Sequence, residues 1–164
     1  IIIFFNSDHV LSKINNKIIA NVGNQIITDL DIEDEIKTML ILNQKKFSQE
    51  NINQAKNMAM NALIKRSIKK NEILKYKVED YDEKELNNYL IQVSKKLNTD
   101  IGGLKNILES NLINYEIFID KYKTELKWNN LIYSLYKNQL NINTVDIEND
   151  HKKSLENRIV IVEY

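Results

Sequence analysis

Not one proline and only three glycines interrupt the 164 residues. Proline ends helices, and glycine both weakens them and supplies the backbone of tight turns. A chain this poor in both is built from long helices with few tight turns. Its length suits one domain, large enough to bury a core without cross-links. There is no cysteine, which excludes disulfides and thiolate metal sites but identifies no compartment. Ile, Asn and Lys together supply 71 residues, a bias toward AT-rich codons that limits the meaning of any single Asn or Lys. The 23 basic residues balance 23 acidic ones, so nothing draws the chain generally to nucleic acid or to an anionic membrane surface. No nucleic-acid partner is expected, and the basic group Lys65, Arg66, Lys69 and Lys70 reads as a solvated helix face.

The expected fold class is mainly α, a multi-helix domain with a small N-terminal β-hairpin. Ile18, Ile19, Ala20 and Val22 face Ile26 and Ile27 across Gly23-Asn24, and glycine at the first central position is what a type II′ turn requires. Thr28 then caps a helix from Asp29 to about Asn43, with the acidic run Asp29 to Glu35 placed where the helix dipole favours carboxylates. A second helix starts at a Ser48 cap and continues to Leu74, with apolar residues too broadly spread for one stripe. Asp82 and Glu85 make a capping-box pair for a third, and Tyr81 and Leu86 a hydrophobic staple. A short fourth helix follows an Asp100 cap, its first turn weakened by Gly102 and Gly103. The fifth begins at Asn114 and extends toward Asn138; its apolar stripe changes phase after Leu126, as if the helix changed partners. A polar helix to Leu155 and a strand-like run, Arg158 to Tyr164, complete the series.

The ends carry expectations of their own. The apolar start IIIFF followed by NSDHVLS reads as the end of a signal peptide, with residues 1–12 its remnant and the mature chain beginning at Lys13; the alternative is an N-terminal strand within the fold. Residues 13–157 then form the helical domain, and 158–164 the start of a linker or a further domain. No stretch approaches the ~20 apolar residues of a membrane span.

Convergent polar residues of an enzyme are missing. His9 and His151 are far apart, Glu148 and His151 offer two metal ligands where a site needs more, and the acidic run lacks the glycine of a calcium loop. No catalytic residue, metal or cofactor is expected. What stands out is an aromatic concentration: Tyr115, Phe118, Tyr122, Trp128, Tyr133 and Tyr136 share the fifth helix, more than one helix face can bury. These six are the candidate client-binding residues, since Tyr and Trp suit a surface that holds varied apolar segments while their polar tips stay wet.

The order of the pieces KIIANVGNQIIT, DLDIEDEI, NALIKRSIKKNEILKYKVEDYDEKELNNYL and NYEIFIDKYKTELKWNNLI resembles the N-terminal domain of SurA-type periplasmic chaperones, over about Lys17 to Leu155. Two departures stand at the short fourth helix: Gly102-Gly103 within it, where the family has polar helix formers, and Leu112 after it, where the family often has glycine. The resemblance implies a periplasmic, ATP-independent chaperone segment that binds unfolded outer-membrane proteins, or other exported polypeptides, in an apolar crevice. It also implies that any prolyl-isomerase activity would reside in a parvulin-type domain after Tyr164, and that the hairpin is the receiving edge for a distant strand. The alternatives are a non-catalytic scaffold of a membrane-anchored or lipoprotein isomerase of the PpiD or PrsA type, and a helical adaptor for one folded partner.

Overall fold

The computed structural model describes residues 17–137. The expected signal-peptide remnant, both histidines, the helix to Leu155 and the strand-like Arg158 to Tyr164 lie outside them. The described residues are mainly helical, with one small hairpin: β1 (Ile18–Val22), β2 (Gln25–Thr28), α1 (Asp29–Leu42), α2 (Gln49–Lys75), α3 (Glu83–Lys96), α4 (Ile101–Ser110) and α5 (Tyr115–Tyr136). The chain divides at Asn130 into two units. The second contains the last turns of α5, where Leu131 is buried and Tyr133, Leu135 and Tyr136 are exposed.

The two strands pair antiparallel with Val22 opposite Gln25, leaving Gly23-Asn24 as a two-residue turn, and the register shifts between Ile18 and Ala20. Of the two turn residues only Gly23 has positive φ, at 58°, as a type II′ turn needs. The same glycine is required for packing. Asn71 of α2 donates from Nδ2 to the Val22 carbonyl at 2.8 Å, and a Cβ on Gly23 would sit 2.4 Å from that nitrogen. The hairpin's tip is therefore fastened to α2, and Ala20 and Ile27 turn inward beneath it.

A two-stranded hairpin is marginal in water without a cover. Its cover is the antiparallel pair α1 and α2, and together they enclose the first core: Ile27, Ile32, Ile36, Leu40, Ala55 and Ala59, with Ile52, Leu63 and Ile64 at its margin. The alanines, one turn apart, let the helices approach closely. The second core is built by α3, α4 and the first half of α5 around Leu90, Leu104, Leu108, Ile113, Phe118 and Leu126. α1 alone feeds both, contributing Ile41 and Leu42 from its last turn to the margin of the second. The phase change expected along α5 begins after Leu126, the last of its residues in this core.

The expected N-caps form, with one exchange of detail. Thr28 and Asp31 make a full capping box, each satisfying the other's backbone N–H, while Asp82 accepts from both Lys84 and Glu85 without a return bond from Glu85. Ser48, Asp100 and Asn114 cap as expected. Gly103 has a packing reason: a Cβ there would lie 1.7 Å from the Thr99 hydroxyl.

The expectation of few tight turns fails at the other ends of the helices. α1 to α4 each terminate in a residue of positive φ, namely Gln44, Lys77, Asn98 and Leu112 at 53°, 53°, 56° and 62°. In each case the next residue's N–H reaches back over the last turn: Lys45 to Leu40, Val78 to Ile73, Thr99 to Ser94 and Ile113 to Leu108, at 2.9 to 3.0 Å. This is the Schellman arrangement, in which glycine is the usual residue. Here it is made four times without one, so each turn carries the steric cost of a Cβ in left-handed backbone. Leu112→Gly should raise the unfolding free energy by roughly 0.5–1 kcal/mol in urea titration, because that strain is relieved and the leucine, 82% exposed, buries little. Gly23→Ala should lower it, since the new Cβ meets both the strained backbone and Asn71.

Candidate functional site

Glu35 stands one place before Ile36 and three after Ile32, so helical periodicity carries it toward the core rather than to solvent. Its side chain is 6% exposed. A carboxylate so placed survives only with partners. Arg66 of α2 supplies a two-pronged one, Nη1 and Nη2 each donating at 3.0 Å to a different carboxylate oxygen. Lys121 of α5 brings its ammonium to 2.9 Å from Glu35 Oε2 and donates to the Thr38 hydroxyl at 3.3 Å. Thr38 in turn donates to the Asp34 carbonyl at 2.7 Å. Burial pushes the Glu35 carboxyl upward, but the Arg66 hydrogen bonds and the Lys121 charge outweigh it and hold the group below the usual carboxylate value.

The basic group of α2 is therefore not the solvated face expected of it. Arg66 is committed to Glu35, Lys69 pairs with Glu125 and Lys70 with Asp120, both on α5. Only Lys65 is fully exposed. The physical reason is complementarity: positions 66, 69 and 70 share one side of α2, opposite positions 120, 121 and 125 of α5. Lys69 also lies 5.8 Å from the Trp128 ring centre, within cation–π range.

Two recesses flank the Glu35 triad. One lies beside the hairpin, between Ile26, Asp34, Ser67, Ile117 and Asp120. In it Asp34 Oδ1 is shut off from solvent with no hydrogen-bond partner, and the nearest paired ammonium, that of Lys37, is 4.0 Å away. Burial pushes the Asp34 carboxyl above its ordinary value, more than Lys37 and Lys121 can offset. The other recess is amphipathic. Met39, Leu42, Tyr89, Phe118 and Tyr122 form its apolar wall, and Arg66, Lys121 and Glu125 line the rest.

The six aromatics of α5 are not gathered on one surface. Tyr115 and Phe118 are buried in the second core. Tyr122 stacks on Tyr89 of α3, with ring centres 3.6 Å apart and planes at 7°, at the edge of the amphipathic recess. Burial pushes both phenols above their ordinary value, so both stay neutral. Trp128 is half-buried against Lys69. Tyr133 and Tyr136 are exposed in the second unit, 67% and 49% respectively.

Among the described residues no three His, Cys, Asp or Glu converge as a metal site would require. The buried hydroxyls of Thr38, Ser94 and Thr124 each bond their own helix four residues back, and no base adjoins them to make a nucleophile. Among the described helices none is long and apolar enough to cross a membrane. What the recess can do chemically is hold a segment that presents apolar side chains next to charged ones. No protein-family model, curated protein or solved structure matches this chain.

Sequence reasoning overlooked Glu35, Arg66 and Lys121. The available signal was a carboxylate inside the Ile32, Ile36, Met39 stripe and a lysine inside the Phe118, Tyr122 stripe. Glu35 was instead absorbed into the acidic helix start, where Asp29 and Asp31 do belong.

Two pH effects of opposite sign follow. Glu35 has a depressed native pKa, so its contribution to stability is complete above the ordinary carboxylate range and is lost as pH falls through the native value. Glu35→Gln should cost about 3 kcal/mol near neutral pH by stranding Arg66 and Lys121, and the deficit should shrink in acid. Asp34 has a raised native pKa, so its ionised form opposes folding at neutral pH. Asp34→Asn should therefore raise the melting temperature at neutral pH, with the gain fading as pH falls through the elevated value and the wild-type carboxyl becomes neutral too. Thermal unfolding of both variants across pH checks the pair.

Proposed function

We propose that this chain is a binding module of the SurA N-terminal type, a periplasmic ATP-independent chaperone segment that holds unfolded outer-membrane proteins or other exported polypeptides. The observation that carries the proposal is the amphipathic recess, where Met39, Leu42, Tyr89 and Tyr122 stand beside Arg66, Lys121 and Glu125 with no catalytic arrangement near them. A chaperone must accept many sequences and release them, and an open surface mixing aromatic, thioether and charged groups binds broadly and weakly. The hairpin followed directly by a capped helix, and the four helices after it, run in the order that the resemblance implies. Leu112 adds support: it adopts left-handed backbone, which glycine takes most readily, at the place where this family often carries glycine.

Among the six candidates of α5, Tyr122 lines the recess and is given the leading role in this reading. Tyr115 and Phe118 support the recess from within the core.

The full chain, added in molar excess to an outer-membrane β-barrel protein diluted from denaturant, should suppress light scattering from aggregation. Tyr122→Ala should weaken that suppression several-fold while helix content by circular dichroism stays unchanged. No suppression at excess would contradict the proposal, and undiminished suppression by Tyr122→Ala would remove the recess as the site.

A further inference from the structure

The first unit is made of two apolar cores that share no buried residue. The hairpin, α1 and α2 build one from residues 18–75, and α3, α4 and α5 build the other from residue 83 onward, so within the described residues the backbone crosses from one lobe to the other once, through residues 76–82. No residue of α2 belongs to the second core, and none of α5 belongs to the first. Between these two helices the direct links all run through charged groups: Lys69 with Glu125 and over the Trp128 ring, Lys70 with Asp120, and Arg66 with Lys121 through Glu35. The small buried residues near this seam, Thr38, Ser67 and Thr124, are polar too.

The exception is the end of α1. Ile41 and Leu42 pack on the second core, and just beyond them Gln44 donates from Nε2 to the Lys96 carbonyl at the end of α3, at 2.6 Å. The lobes are thus joined by apolar contact and a hydrogen bond at one place, and by charges about two turns away along the same helix. A joint of the first kind holds when charges change. A seam of the second kind does not, because ionic groups gain solvation on separating and the net stabilisation of such pairs is small. Neither core has to be broken for the seam to part.

We propose that the two lobes form a clamp that pivots at the C-terminal turn of α1 and is latched by Glu35, which ties α1 to Arg66 and Lys121, so that protonating this one carboxylate swings α5 away from α2. The groups facing Glu35 set the balance. Arg66 and Lys70 face it from α2, Lys121 with Asp120 and Glu125 from α5, Tyr89 from α3, and Asp31 and Asp34 from its own helix. When the carboxylate is neutralised, Arg66 and Lys121 become two like charges held together without their counter-ion, and they drive the seam apart. Asp34 does not replace it: no hydrogen bond or ion pair joins its carboxylate to Arg66 or Lys121, and its buried Oδ1 has no hydrogen-bond partner. Opening widens both recesses beside the triad. The proposal does not depend on what the recesses bind.

The chain has no cysteine, so Met58→Cys on α2 and Asn106→Cys on α4, both exposed, give a uniquely labelled pair with one spin label on each lobe. Electron–electron distances measured on the full chain at about pH 7 should give one closed population. Lowering the pH to about 3 should add a longer, broader population while helix content is retained. Glu35→Gln should show that population already at neutral pH. The triple variant Glu35→Met, Arg66→Met, Lys121→Met, with an apolar seam, should stay closed in acid. A wild-type distance that holds until helicity is lost would overturn the proposal, as would acid opening of the triple variant. Should Glu35→Gln fail to fold, the wild-type titration and the triple variant decide between the outcomes.

Discussion

A single carboxylate decides how this molecule holds together. Glu35 lies within the apolar face of α1, where an unpaired charge would be unaffordable, and its partners come from helices far away in sequence, Arg66 in α2 and Lys121 in α5. The requirement that both cations reach it holds α2 and α5 together against α1. The neighbouring pairs, Lys69 with Glu125 and Lys70 with Asp120, then fall into place along the same seam. Apolar burial builds each lobe. Charge complementarity sets how the lobes meet, while the cost of desolvating buried ions offsets much of what their attraction adds to stability.

The recesses are consequences of that seam. Long ionic side chains keep α2 and α5 from interdigitating as α1 and α2 do through Ala55 and Ala59, and the space they leave opens on both sides of Glu35. On the hairpin side Ile26 and Ile117 stand among charged groups, and the space holds the ill-satisfied Asp34. On the other side the Tyr89–Tyr122 stack and Met39 supply an apolar wall. A surface of this mixed character is what the proposed transient contact with unfolded segments would use.

Much of the fold could be read from local signals. The Gly23-Asn24 turn, the caps at Thr28, Ser48, Asp82, Asp100 and Asn114, and the stripe Tyr115, Phe118, Ile119, Tyr122, Leu126 are each written within a few residues, and the structure uses each of them. Two things were not legible. The helix ends are Schellman turns made by Gln44, Lys77, Asn98 and Leu112, and without glycine they leave no mark in a sequence whose composition is skewed away from it. The ionic seam is the other, because pairings over 31 residues, Glu35 to Arg66, or over 56, Lys69 to Glu125, depend on where whole helices pack. A basic run read one helix at a time looks solvated until the acidic helix opposite is in view. For the same reason the six aromatics could be gathered on one helix from the sequence but not sorted into core, edge and surface.

The central claim is that two apolar cores are joined by a polar seam, and native-state hydrogen exchange under low denaturant tests it most directly. The account predicts two groups of slowly exchanging amides, one in α1 and α2 around Ala59 and one in α3 to α5 around Leu104 and Leu108, that open with different free energies. Replacing Glu35 should separate the two groups further while leaving each internally cooperative. A single opening free energy shared by the amides of both cores, in the wild type and in the Glu35 variant alike, would contradict it.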